Sequence, residues 1–223
     1  KRYEEETNLE AHLVVDVSNS MAYEAKDGAL PSKLDYARWA AAALGYLITQ
    51  QQDAAGLVLY DDEIRTALPA QSNQAHLRTM FTLLEEATPR GGTDTGRALS
   101  EVAEAVRRRG VVVLFSDLLD DRREVVRGLR NLRQRGHEVI LFHVLDRDEV
   151  TFPFERMTRF EGLEGLGRLT ADPLALKEAY LEEVKRFRNR LRRVCLQNRI
   201  DLVETDTSRS IGVVLAAYLA KRE

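Results

Sequence analysis

"HLVVDVSNSM" (His12–Met21) joins a valine-rich apolar run to Asp16 and then sets Ser18 and Ser20 at alternate positions beyond it. A short apolar run of this kind fits a strand buried on both faces, as in a parallel sheet. Three oxygen side chains at its end have no use in an apolar core. Taken alone, Asp-x-Ser-x-Ser also fits an Asx turn or a helix N-cap. The surrounding pattern has to decide between those uses.

Outward from this stretch, short apolar runs alternate with longer amphipathic ones. Lys33–Gln51 reads as a helix, with Leu34, Ala37, Ala41, Leu44, Leu47 and Ile48 on one stripe and Ser32 as its N-cap. Ala54–Asp62 reads as a second strand. Glu63–Pro69 follows too closely for a helical crossover and is expected to pair antiparallel with it. Helices are expected over Gln74–Ala87, Thr95–Arg109 and Arg122–Arg135, and strands over Val111–Asp117 and His137–Asp146. The glycine spacing of Thr151–Pro173 suits a hairpin or an excursion. A long basic helix (Leu174–Asn198), a strand "IDLVETD" and a final helix near Ile211–Lys221 complete the chain. Strands separated by helices in this way predict an α/β fold: a Rossmann-like, mostly parallel sheet with one antiparallel edge strand and helices on both faces. No repeat or linker interrupts residues 1–223, so one domain is expected. The "KRYEEETN" start reads as the end of a longer upstream segment.

With 223 residues, 44% hydrophobic and 31% charged, the chain has the composition of an ordinary globular domain, and its net charge of −3 gives no global attraction to nucleic acid. The arginine-rich segments near Arg109, Arg123–Arg135 and Lys185–Arg199 are interleaved with few aromatic platforms and flanked by glutamates, which fits solvated helix faces. Cys195 is the only cysteine, so no intrachain disulfide forms; it reads as a small apolar residue, and a reducing, cytoplasmic location is expected. No run reaches the ~20 apolar residues of a membrane span. Membrane association is therefore expected only through an upstream part. The four histidines are scattered, His12 and His143 falling in strands as structural residues. Trp39 and Tyr46 are expected to pack in the core or at an interface.

In an open parallel sheet, ligands bind beyond the carboxyl ends of the strands. Asp16, Ser18 and Ser20 follow the first strand, Thr93 and Asp94 follow Gly91 and Gly92, and Ser116 and Asp117 end a later strand. All are oxygen donors, with no histidine or cysteine among them. Such a set suits Mg²⁺, Mn²⁺ or Ca²⁺ rather than zinc. An extended loop past Asp16 would turn both serines to one side. "PRGGTD" lacks the Gly-Lys-Ser/Thr of a nucleotide-binding loop, and Asp61 and Asp62 are expected to cap a turn.

Asp16-x-Ser18-x-Ser20, Thr93 in "GGTD" and Asp117 in "FSDLLD" resemble, in order and placement, the metal-ion-dependent adhesion site of von Willebrand factor type A domains. More narrowly, "LVVDVSNSM", "SKLDYARWAAAALGYL", "GLVLYDD", "GGTDTGRAL" and "LRQRGHEVILFHVLD" resemble the bacterial domain-of-unknown-function family numbered fifty-eight over nearly the whole chain. The resemblance implies that Ser18, Ser20 and Thr93 hold Mg²⁺ (or Mn²⁺/Ca²⁺) directly, with Asp16 and Asp117 acting largely through water. It implies a non-catalytic interaction domain whose protein partner supplies a carboxylate, working with a MoxR-type AAA+ ATPase. The alternative is a metal-dependent hydrolase or phosphatase of the haloacid-dehalogenase type. Those enzymes place a second aspartate two residues after the first, where this chain has Ser18.

Overall fold

The computed structural model describes residues 9–25, 28–106, 108–119, 122–161 and 167–221. The Lys1–Asn8 stretch lies outside them, as does Gly162–Leu166 of the excursion. The elements run β1 (Glu10–Asp16), α1 (Lys33–Gln50), β2 (Ala54–Tyr60), β3 (Ile64–Gln71), α2 (Gln74–Glu86), α3 (Thr95–Ala105), β4 (Val111–Ser116), α4 (Arg122–Gln134), β5 (Glu138–Leu145), α5 (Arg147–Thr151), β6 (Thr158–Glu161), β7 (Arg168–Ala171), α6 (Pro173–Gln197), β8 (Asp201–Asp206) and α7 (Ile211–Leu219). Six strands form one sheet in the order β3-β2-β1-β4-β5-β8. All its neighbours are parallel except β2 and β3.

Period-two alternation sorts the strand residues between two cores. Leu13, Val15, Leu57, Leu59, Val113, Phe115, Ile140 and Phe142 face one side with Leu34, Tyr36, Ala37 and Leu44 of α1, Met80 of α2 and Tyr218 of α7. Val14, Val58, Tyr60, Val112, Leu114, Val139 and Leu141 face the other with Leu99 and Val102 of α3, Leu129 of α4, and Leu191 and Cys195 of α6. Each such residue contributes about 1.5–3 kcal/mol by leaving water, and burial on both faces is why the strands read as unbroken apolar runs. β3 is instead half-buried and exposed in alternation. It carries Pro69, which cannot donate to a ladder and belongs on an edge strand.

Helices α3 and α4 touch through glycine. A Cβ at Gly96 would lie 2.5 Å from the Cβ of Glu124, and one at Gly128 would lie 2.8 Å from the Cβ of Leu99. This contact sets the α3 N-terminal turn directly against α4.

Four sequence expectations need correction. α3 stops at Ala105, because Val106 leaves helical geometry and joins the core. A short helix, α5, follows β5; its start is an Asp146/Glu149 capping box, a signal present in the sequence but passed over. Of the two placements expected for Trp39 and Tyr46, the core is ruled out, since they are 54% and 49% exposed on α1. The loop past Asp16 is not extended throughout, for Asn19–Ala22 forms a 3-10 turn. The excursion does contain a hairpin, β6 paired antiparallel with β7.

Candidate functional site

The sheet order reverses at β1: the chain builds outward to β2 and β3 on one side, then returns to place β4 on the other. That reversal opens a crevice at the carboxyl ends of β1 and β4, where ligands of such sheets bind. Asp16 ends β1, while Ser116 ends β4 and is followed by Asp117; all three are fully buried.

Asp16 acts first as a local organiser. Its Oδ1 accepts from the Ser18 amide at 2.9 Å, an Asx turn, and its Oδ2 accepts from the Ser116 hydroxyl at 2.7 Å. Ser116 Oγ accepts in turn from the Leu118 amide at 2.9 Å. Leu118 has φ +54°, an uncommon conformation for a branched residue, held by this bond and by burial of its side chain.

The serines are disposed differently. Ser18 stands at the N-cap of the 3-10 turn, yet its side chain makes no capping bond. Ser18 Oγ and Ser20 Oγ lie 3.0 Å apart, both buried. The turn, rather than an extended loop, brings the hydroxyls together.

A second loop is stitched alongside. The Arg90 amide donates to the Val17 carbonyl at 2.9 Å, and the Asn19 amide donates to the Gly91 carbonyl at 3.3 Å. Gly91 has φ +60°, a conformation that glycine adopts without strain. The Asp94 amide donates to the Asp61 carbonyl, and the Asp94 side chain caps α3 through the Arg97 amide. Thr93 stands half-buried between these anchors. Asp61 holds the β2–β3 turn, accepting from the Glu63 amide at 3.1 Å. The five residues singled out from sequence thus sit on the ends and loops of the reversal point: Asp16, Ser18 and Ser20 beyond β1, Thr93 on the stitched loop and Asp117 beyond β4.

Ser116, placed at this rim from the sequence, fixes Asp16, as described, while Lys33 and His143 join the rim unannounced by the sequence reading. Lys33, at the first position of α1 and only 1% exposed, donates to Asp117 Oδ2 at 2.6 Å and to Glu149 Oε1 at 2.7 Å. A lysine directly after an N-cap faces the positive end of the helix dipole; that misplacement was the available signal. His143 Nε2 lies 3.1 Å from the Asp117 carbonyl, which requires the Nε2–H tautomer, while its Nδ1 is buried without a partner among the described residues. Asp117 Oδ1 also accepts from the Leu119 amide at 3.1 Å.

Burial, and then the neighbouring Asp117 carboxylate, push the Asp16 carboxyl up to about 7, against hydrogen bonds from Ser18 and Ser116. Lys33 is held in its charged form because its two carboxylates outweigh its burial. Burial brings His143 down to about 4. Such a histidine is neutral in the fold but takes up a proton in the unfolded chain near pH 6.5, so stability is lost as pH falls below that value. Asp16 has the opposite sign, destabilising the fold as pH rises from about 4 to about 7. Subtracting a His143→Gln profile from the wild-type urea-unfolding profile isolates the histidine. Wild type should lose on the order of 2 kcal/mol relative to the variant between about pH 7.5 and about pH 5. A flat difference would show that His143 is not a buried neutral group.

Cys195, on α6, is buried and its thiol is pushed up to about 12, which leaves no thiolate for nucleophilic work. No cluster of three or more His, Cys, Asp or Glu residues suited to a metal occurs among the described residues.

The reversal-point sheet with these loops defines a von Willebrand factor type A-like domain, and its likeness to the SpRpn10 VWA domain agrees (TM-score 0.50, 12% identity, 93% of this chain and 94% of that one). The chain belongs to the family described as "protein of unknown function DUF58", whose model matches residues 1–190. Two Bacteroides structures share the fold at 21% identity. One is an aerotolerance-related membrane protein from Bacteroides fragilis NCTC 9343 (TM-score 0.63, 95% of this chain, 98% of that one), and the other is BatB from Bacteroides thetaiotaomicron (TM-score 0.61, 96% and 98%). An uncharacterized protein of Mycobacterium tuberculosis is 33% identical over 149 residues, 65% of this chain and 45% of the relative. The matched region thus spans less than half the length of that relative. No helix among the described residues is long and apolar enough to cross a membrane.

Proposed function

We propose that this domain binds a divalent cation through the Ser18, Ser20 and Thr93 hydroxyls, with Asp16 and Asp117 acting through water, and captures a partner protein by a carboxylate that completes the ion's shell. One observation carries this reading: two buried hydroxyls at the reversal point stand 3.0 Å apart and cap no backbone amide. Neighbouring ligands ~2.1 Å from an octahedral ion stand ~3.0 Å from each other, so the pair has the spacing of an octahedral edge. Oxygen-only donors favour Mg²⁺ or Mn²⁺, with Ca²⁺ as the larger alternative. With few direct carboxylates the ion keeps excess positive charge, which is what attracts an acidic side chain from outside.

The partner class follows from the family resemblance: a MoxR-type AAA+ ATPase, met in the cytoplasm. The structural likeness to an aerotolerance-related membrane protein supports attachment of the whole protein to a membrane through parts beyond this domain. A phosphatase reading is less well supported. The position two residues after Asp16 is a serine, and Lys33, the one lysine at the rim among the described residues, is engaged by Asp117 and Glu149 rather than directed at a substrate.

Calorimetric titration of Mg²⁺ and Mn²⁺ tests the proposal. Asp16→Ala, which loses the group that sets the Ser18 loop, should weaken binding about 10–100-fold. Equal affinity in the two proteins would place any ion elsewhere, and turnover of a phosphate ester abolished by Asp16→Asn would favour the enzyme.

A further inference from the structure

Among the described residues, Lys33 is the one fully buried ammonium at the rim, and it meets Asp117 there directly. Its two carboxylate partners come from different elements: Asp117 from the end of β4, and Glu149 from α5. Glu149 is itself fixed, since its other oxygen accepts from the Asp146 amide at 2.7 Å. Asp117 is held at both oxygens, by Lys33 and by the Leu119 amide. Its carboxylate therefore cannot swing freely toward a ligand.

Within the bonded set, the carboxylates of Asp117 and Glu149 stand against the single ammonium of Lys33. The Lys33–Glu149 pair is neutral as a unit, but each half acts on an ion with opposite sign.

We infer that Lys33 and Glu149 form a built-in charge regulator, Lys33 lowering and Glu149 raising the affinity of the rim for a divalent cation without either touching it. This rests on the ion-binding reading above. The pair thereby sets how much positive charge remains on the ion for a partner's carboxylate. Lys33 is a positioning residue: it fixes Asp117 and opposes the ion at a distance.

The test is titration of Mn²⁺ and Mg²⁺ into wild type, Glu149→Gln, Lys33→Met and the double variant, with circular dichroism to confirm folding. Coulomb interaction of one buried charge with a divalent ion predicts binding weakened on the order of tenfold in Glu149→Gln, tightened on the order of tenfold in Lys33→Met, and within about threefold of wild type in the double variant. A purely structural role weakens binding in every variant. Should Lys33→Met not fold, Glu149→Gln against the double variant still decides, because only charge lets a second substitution restore what the first removed. Glutamine keeps the capping acceptor, so Glu149→Gln is expected to fold. Loss of affinity in all variants, or no change from a wild type that binds, overturns the regulator and leaves the ion site standing. A wild type that binds no better than Asp16→Ala overturns the ion site, and the regulator with it.

Discussion

Lys33→Met is expected to lower the unfolding free energy by about 3–5 kcal/mol when measured in urea with a chelator present. The ammonium is buried and bonded to two carboxylates, at 2.6 and 2.7 Å. Removing it leaves Asp117, fully buried, and Glu149, partly buried, without their shared cation, and a buried charge without a partner is costly. Glu149 already holds its proton more tightly than usual, because burial outweighs the help of Lys33. Without that help its pKa rises further, so the penalty in Lys33→Met should shrink as pH falls. Lys33→Met/Glu149→Gln should recover a large part of the loss. The ion pairs of Arg186 with Glu182 and Glu183 on α6 are exposed at both ends, and Arg186→Ala should cost little by comparison. A Lys33→Met penalty no larger than that of Arg186→Ala would mean that water reaches the rim and that the buried-charge account is wrong.

The second large effect concerns binding and not stability. Ser18→Ala and Ser20→Ala should each weaken Mn²⁺ binding by at least about 100-fold, beyond what loss of a supporting group costs. Stability in chelator should change by only about 1 kcal/mol in Ser20→Ala, which loses the neutral bond to the other hydroxyl, and somewhat more in Ser18→Ala, which also loses a side-chain bond to Asp16. The alternative use of these serines, as helix caps, predicts the reverse: a stability loss without a binding phenotype. Neither hydroxyl bonds the backbone of the 3-10 turn, so the two uses separate cleanly. Isothermal calorimetry and urea unfolding on the same preparations read both quantities.

The sheet was legible because its strands are buried on both faces. "VVVLFS" and "EVILFHVL" have no polar side to confuse the period, and Ser32 announced α1 as its cap. The antiparallel edge was legible from the short β2–β3 connection. What escaped was set by tertiary contact. α3 ends where Val106 finds the core, and Trp39 and Tyr46 stay outside because α1 already fills its stripe with Leu34, Ala37, Ala41 and Leu44. At the rim, hydroxyls and carboxylates could be placed by the strands that carry them. Lys33 could not: its partners lie 84 and 116 residues away, and sequence alone gives a lysine at a helix start no reason to be buried.

The most direct measurement is a crystal structure grown with Mn²⁺ and recorded at a wavelength where manganese scatters anomalously. The account predicts a peak beyond the carboxyl ends of β1 and β4, about 2–2.3 Å from Ser18 Oγ and Ser20 Oγ, with Thr93 turned toward it. An anomalous map empty at that point, with the two hydroxyls still bonded to each other at saturating Mn²⁺, would contradict it.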